Sequence, residues 1–341
     1  AMSTPPIPDR PPGPPAGPAP QARRWIVGGR VQGVGYRPFV YRCALRYRLS
    51  GWVRNHAGQV EIEAQGDAAA LDALENSLVA DAPPLARPHI VLSAAIALDP
   101  GGRNTFQIRP SAQGDVAHAH VPPDYFTCAQ CLEELRNPAD RRYRYPFINC
   151  TQCGPRYTVI QRLPYDRPNT SLAGFPLCPA CRQEYTDPLD RRFHAEPLAC
   201  PVCGPQLQYS GEDTGVLDDT AAALKQCVVA LQSGLIVAVK GVGGYHLMCD
   251  AANERAVARL RLTKPRPHKP LAVMFPLRGA DGLDAVRDAA LLTPAQARLL
   301  LDPMRPIVLV PLCTDPLHAK VLAPAIAPGL ADIGVMLPYS P

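Results

Sequence analysis

The chain has 341 residues, 47% of them hydrophobic and 19% charged. That balance excludes a wholly disordered protein, and the length suffices for two or three domains with buried cores. A net charge of only +5 argues against a nucleic-acid reader, which concentrates a denser basic stripe. No run of about 18 apolar residues is present to span a membrane as a helix.

Nine of the 41 prolines fall within the first twenty residues, AMSTPPIPDRPPGPPAGPAP. Residues 1–21 have too few apolar side chains to offset chain entropy, and they read as a disordered or polyproline leader. Met2, following Ala1, is expected to be the natural start. The leader lacks the apolar region of a signal peptide, so a cytoplasmic location is expected. Twelve cysteines in that compartment argue for metal binding or catalysis rather than disulfides.

Residues 22–112 carry strand and helix patterns in the order strand, helix, strand, strand, helix, strand. Trp25-Ile26-Val27 opens a strand and leads into Gly-rich GRVQGVG. Pro38 suits the first position of a helix, where its missing N–H costs nothing. Phe39, Val40, Cys43, Ala44 and Tyr47 recur at helical spacing until Ser50-Gly51. Trp52–Asn55 is a short strand, HAGQ a turn, and Val60, Ile62 and Ala64 alternate with polar residues as in a half-buried strand. Asp67 can cap a second helix with Leu71, Leu74 and Leu78 on one face. Ile90–Leu92 and Phe106–Ile108 supply the closing strands. The order suits a ferredoxin-like sandwich.

The Gly-rich loop carries the first candidate site. Its glycines let backbone N–H groups converge on an anion at a helix start, and Arg37 can grip two phosphate oxygens.

Residues 113–210 contain an internal repeat at an offset of 50 residues. CAQCLEEL…NPADRR…CTQCGP returns as CPACRQEY…DPLDRR…CPVCGP. Each unit is C-x2-C-x18-C-x2-C: Cys128, Cys131, Cys150 and Cys153, then Cys178, Cys181, Cys200 and Cys203. Two thiolate pairs on tight knuckles close a tetrahedral shell, so two structural zinc ions are expected, with no open position for catalysis. Sequential pairing is simplest, although crossed pairing would preserve the count. His194 has Arg144 as its counterpart in the first unit and is expected beside the metal site rather than in it. Cys43, Cys227, Cys249 and Cys313 lie outside the pattern.

Residues 214–341 return to apolar segments. A helix around Ala222–Leu231 precedes a run expected to be a buried strand, Leu235–Val239. KGVGGYH and the basic loop TKPRPHK follow.

Three stretches, GRVQGVGYR, GWVRN and GQVEIEAQGD, closely resemble acylphosphatases in order and spacing over about ninety residues. The resemblance implies that Val31, Gln32, Gly33, Val34, Gly35, Tyr36 and Arg37 bind a phosphoryl group and that Asn55 orients the attacking water. GLIVAVKGVGGYHLMCDA and LTKPRPHKPLAVM resemble the YrdC-like domain, whose relatives adenylate carbamate-type substrates with ATP. On that likeness Lys264, Arg266 and Lys269 form its basic loop, and Lys240 lies at the neighbouring strand end.

The three parts in this order resemble HypF, the carbamoyltransferase family of nickel–iron hydrogenase maturation. The fold expected is α+β and multidomain: a ferredoxin-like acylphosphatase sandwich, a zinc-knuckle domain and a partial YrdC-like α/β domain. The likeness implies hydrolysis of carbamoyl phosphate and formation of carbamoyl-adenylate from ATP with Mg2+. Transfer to the C-terminal cysteine of HypE then leads to the cyanide ligand of the hydrogenase. No nucleic-acid or membrane partner is expected. The chain stops at MLPYSP, short of the Ser-x-Asn-type motif and the transferase domain the family leads one to expect, so the YrdC-like part is read as truncated. A general acylphosphatase and a zinc-dependent docking scaffold are the alternatives.

Overall fold

The computed structural model describes residues 19–99, 105–111, 122–212, 214–265, 269–313 and 322–341. The first 18 residues of the expected leader lie outside that set, as does Arg266, and Gln21 already belongs to a strand.

The N-terminal part runs β1 (Gln21–Arg30), α1 (Tyr36–Arg46), β2 (Ser50–His56), β3 (Gln59–Gly66), α2 (Ala68–Ala80), β4 (Arg87–Ile96) and β5 (Phe106–Ile108). The sheet order is β4-β1-β3-β2-β5, antiparallel throughout except for β5 alongside β2. This is the ferredoxin-like arrangement with one added edge strand. Side chains that alternate along β1 and β3 send Trp25, Val27, Val60 and Ile62 into a core shared with Phe39 and Val40 of α1 and Leu71, Leu74 and Leu78 of α2. Full burial of each such aliphatic or aromatic side chain contributes about 1.5–3 kcal/mol.

Helix α1 begins two residues before Pro38, at Tyr36, with Gly35 in left-handed conformation at its N-cap. Pro38 is still tolerated because the first four N–H groups of a helix have no intrahelical partner. A two-residue turn, Ala57-Gly58, both at positive φ, joins β2 to β3, the geometry that follows strand twist most closely.

The cysteine-rich part is mostly irregular. Helices α3 (Ala129–Arg136) and α4 (Pro179–Thr186) start immediately after Cys128 and Cys178. Beyond it lie the hairpin β6 (Tyr209–Gly211)–β7 (Gly215–Leu217), α5 (Thr220–Gln232), the ribbon β8 (Val237–Gly241)–β9 (Gly244–Met248), α6 (Glu254–Thr263), β10 (Ala272–Met274), α7 (Asp284–Arg287), α8 (Pro294–Leu301), β11 (Val308–Pro311) and β12 (Asp332–Met336). Strand β12 sits between parallel β10 and antiparallel β11. Val257, Val273, Phe275, Val286, Val310 and Val335 fill the core beside this sheet.

The buried strand expected at Leu235–Val239 is corrected. Residues 237–241 form one half of a two-stranded ribbon with alternate residues exposed, and Leu235 is exposed too. A strand is buried on both faces only when layers cover both sides of its sheet, and the ribbon has no such cover among the described residues.

Candidate functional site

The Gly-rich loop of residues 31–37 lies under a cover from the cysteine-rich part. Gly33 (φ 66°) and Gly35 (φ 71°) are left-handed, a region where a Cβ is strained. The backbone N–H groups of Gln32 to Gly35 make no hydrogen bond among the described residues. They stand at the N-terminus of α1, whose first turn carries no acidic side chain. Unpaired N–H groups at the positive end of a helix dipole make an anion site.

The loop's carbonyls point elsewhere, into the cysteine-rich part. The Gln152 side-chain amide donates to Val34 O at 2.9 Å and Arg156 Nε donates to Gly33 O at 2.7 Å. The fit is close: a Cβ on Gly33 would lie 2.4 Å from Pro122 Cγ, and one on Gly35 would lie 2.8 Å from Gln152 Nε2. Glycine is therefore required here by conformation and by approach.

Arg37 lies in the first turn of α1. Its Nη2 donates to Asp166 Oδ1 at 3.1 Å and to Glu196 Oε1 at 3.2 Å, both from the cysteine-rich part. Nε and Nη1 have no partner among the described residues, so one edge of the guanidinium is free for an oxyanion. Burial raises the Glu196 carboxyl above its ordinary range, against the opposing pull of Arg37. Burial and then the Arg37 charge depress the His194 imidazole to about 4, so it is neutral at physiological pH.

Asn55 is buried on β2, opposite Val60 of β3, and its Oδ1 has no partner. Gln32 of the loop donates to Gln59 O at 3.4 Å, across the hairpin that carries Asn55. An unpaired buried amide oxygen is a position for a water.

The metal centres follow the sequential pairing. Cys128, Cys131, Cys150 and Cys153 converge, as do Cys178, Cys181, Cys200 and Cys203. Five of the sulfur–sulfur distances within the sets lie between 3.6 and 3.8 Å, and all lie within 4.8 Å. A tetrahedron with Zn–S of about 2.3 Å has edges of about 3.8 Å, so both sets fit zinc. The first and second cysteines of each unit sit at the N-cap and third residue of α3 or α4, where the helix dipole favours thiolate. His194 is outside both sets and packs on Tyr185 and Phe193.

Two zinc tetrathiolates carry four excess negative charges, and the repeat neutralises them reciprocally. Arg141 and Arg142 of the first unit donate to Cys181 Sγ at 2.9 and 3.4 Å and pair with Glu184. Arg191 of the second unit donates to Cys131 Sγ at 3.0 Å, and Arg191 and Arg192 pair with Glu134. Burial raises the Glu184 carboxyl, but its bonds to Arg142 and Arg141 outweigh that and hold it down at about 2.

In the C-terminal part a cavity of about 600 Å³ is walled by residues including Tyr245, His246, Lys264, Phe275 and Tyr339. That volume suits a nucleotide-sized ligand. Of the four basic residues singled out from the sequence, Lys264 reaches this wall. Lys240 lies over the Tyr245 ring with Nζ 5.8 Å from its centroid. The Lys269 carbonyl accepts from Arg261, and Arg266 is outside the described residues. A smaller cavity of about 220 Å³ lies between the cysteine-rich and C-terminal parts, with the unpaired Thr127 Oγ1 and Asn149 Oδ1 on its wall.

Three family models match in the order of these parts: acylphosphatase over 23–108, the HypF finger over 127–160 and 177–209, and the YrdC-type model described as telomere recombination over 229–341. Carbamoyltransferase HypF2 of Cupriavidus necator is 50% identical over 318 residues, 92% of this chain and 38% of that protein. The chain belongs to the HypF family. Carbamoyltransferase HypF of Synechocystis is 47% identical over 92% of this chain and 40% of its own length. A crystal structure of full-length HypF in the phosphate- and nucleotide-bound form superposes with a TM-score of 0.84 at 39% identity, covering 96% of this chain and 41% of that one. The chain thus spans about two fifths of the HypF proteins it matches.

Sequence reasoning missed the residues of the cysteine-rich part that close over the Gly-rich loop: Gln152, Arg156, Tyr165, Asp166 and Glu196. The one available signal was asymmetry within the repeat. The second unit has His194 and Glu196 where the first has Arg144 and Pro146.

Proposed function

We propose that this chain hydrolyses carbamoyl phosphate at the loop Val31–Arg37, as the first step of a HypF-type carbamoylation. The supporting observation is the conjunction of unpaired loop N–H groups at the start of α1, a guanidinium with a free edge, and buried Asn55 with an unpaired oxygen. The N–H groups and Arg37 would hold the phosphoryl oxygens, and Asn55 would orient a water towards phosphorus. The new P–O bond forms from that water, the bond to the carbamoyl oxygen breaks, and carbamate and inorganic phosphate leave. Because carbamate is a good leaving group, positioning and charge stabilisation suffice without a strong base.

The carbamate would next become carbamoyl-adenylate at the C-terminal cavity, with ATP and Mg2+, and release pyrophosphate. Lys240, Lys264, Arg266 and Lys269 are the proposed contacts for phosphate and carboxylate charge. Transfer to the C-terminal cysteine of HypE would complete the sequence in a chain of the length of the relatives. The cysteine sets fit two structural zinc ions that hold the HypF-finger part against the loop.

Phosphate release from carbamoyl phosphate by Arg37→Ala should fall by roughly 100- to 1,000-fold, the range for losing a charge-stabilising group in such a site. An unchanged rate would remove the assignment.

A further inference from the structure

In an isolated ferredoxin-like domain the Gly-rich loop would open to solvent; here Thr151, Arg156, Tyr165, His194 and Glu196 cover it. The centre of a water-sized sphere can range over only about 20 Å³ there, room for a water or a compact group but far less than the 600 Å³ of the C-terminal cavity. A bulky acyl group must therefore displace the covering side chains.

Two of the buried covering groups keep unused hydrogen-bonding capacity. The Tyr165 hydroxyl has no hydrogen-bond partner, and Tyr165 is 3% exposed. Glu196 is also 3% exposed. Its Oε2 accepts from Arg167 N and from the Tyr185 hydroxyl, each at 2.9 Å. Its Oε1 accepts from Arg37 alone among the described residues. A carboxylate oxygen has two lone pairs, so Oε1 retains one beside the guanidinium proposed to grip the phosphoryl group.

Building on the hydrolytic reading of the loop, we infer that Glu196 and Tyr165 form a subsite for the acyl end of the substrate. It selects a small acyl phosphate that carries an N–H donor. The carbamoyl NH2 donates to Glu196 Oε1, and the Tyr165 hydroxyl donates to the carbonyl oxygen. An acetyl methyl in the same place leaves the carboxylate lone pair dehydrated and unpaired, which is the condition for strong rejection. Benzoyl phosphate is rejected on size. Arg156 closes one side, its charge 5.9 Å from the Tyr165 ring centroid.

The test measures kcat/KM of the 341-residue chain for carbamoyl, acetyl and benzoyl phosphate. Carbamoyl phosphate should be preferred over acetyl phosphate by roughly tenfold or more, and benzoyl phosphate should be poorest. Glu196→Met, near in shape but with only a weak thioether acceptor, should cut the carbamoyl-to-acetyl ratio roughly tenfold. Tyr165→Phe should lower carbamoyl and acetyl phosphate turnover together. An equal fall for carbamoyl and acetyl phosphate in Glu196→Met would mean that Glu196 only positions Arg37, and the subsite is overturned; so would a wild-type chain that does not discriminate. If Glu196→Met loses zinc, Glu196→Leu, which also lacks an oxygen acceptor, decides by the same ratio. Loss of all three activities in Arg37→Ala leaves the hydrolytic reading standing even if the subsite fails, whereas their survival removes both.

Discussion

The two cysteine units are near-copies in sequence, and their differences are more instructive than their likeness. Shared positions build the fold. The cysteines, Glu134 and Glu184, Asp140 and Asp190, and the arginine pairs occupy equivalent places. Arg142 N donates to Asp140 and Arg192 N to Asp190, both at 2.7 Å. Arg144 and His194 are both left-handed, at φ 55° and 54°, and their N–H groups bond back to Leu135 O and Tyr185 O at 2.9 and 3.0 Å. Where the units diverge, the second turns towards the Gly-rich loop. It presents His194 and Glu196 there, while the first presents Thr151 and Gln152 from its second knuckle. A duplicated module can thus keep its metal framework and specialise only the positions that frame the neighbouring site.

If shared positions are structural, losing a metal ligand should have the largest effect, and it should not stay within one unit. A structural zinc contributes on the order of 10 kcal/mol to folding. The arginine pairs also cross between units, Arg192 Nε to Asn149 O at 3.1 Å and Arg142 Nε to Ala199 O at 2.9 Å. Cys131→Ser is therefore expected to drop bound zinc from two ions per chain towards none. Metal analysis of purified protein would break the comparison if one ion per chain were retained.

Arg142→Met and Arg192→Met should have smaller effects. Each removes one partner from a buried charged cluster, which destabilises by about 3–5 kcal/mol because the remaining charge is uncompensated. The two substitutions should lower the denaturant midpoint equally and speed zinc release to a chelator from the opposite unit. A clear inequality would show that the pseudo-symmetry is geometric but not energetic.

Much of this framework was legible in the sequence, for identifiable reasons. Cysteine spacing repeats because tetrahedral closure demands it, so both metal sets could be named, although their pairing could not. Alternation at Val60, Ile62 and Ala64 and the helical spacing from Phe39 reflect a closed core, so the ferredoxin-like order could be read. The HypF family models and relatives bear out the zinc, acylphosphatase and YrdC-like parts. What escaped was long-range polar contact. Nothing local in residues 160–200 marks Asp166 or Glu196 as a partner of Arg37, 129 and 159 positions away. Leu235–Val239 misled for the converse reason. Its apolar run has the composition of a buried strand, but burial depends on covering layers that composition does not encode.

The smallest expected effect tests a diverged position through its titration. His194 is depressed to about 4, by burial first and by the Arg37 charge second, with Asp166 opposing. The unfolded imidazole titrates near 6.5. Between those values the unfolded chain binds more protons, so the contribution of neutral His194 is complete above about pH 6.5 and is lost as pH falls towards 4. Between pH 7 and 5 the loss is about 1–2 kcal/mol. Asparagine also tolerates left-handed backbone, so His194→Asn keeps the turn while removing the titration. Cysteine protonation and zinc loss weaken both proteins at low pH, and the difference between their melting temperatures isolates the imidazole. Wild type should lose stability faster than the variant from pH 7 to 5, whereas Arg144→Asn in the first unit should run parallel to wild type, because an arginine stays charged throughout. Parallel curves for His194→Asn would mean that the second unit's divergence at this position has no electrostatic tie to Arg37, and Glu196 alone would carry the specialisation.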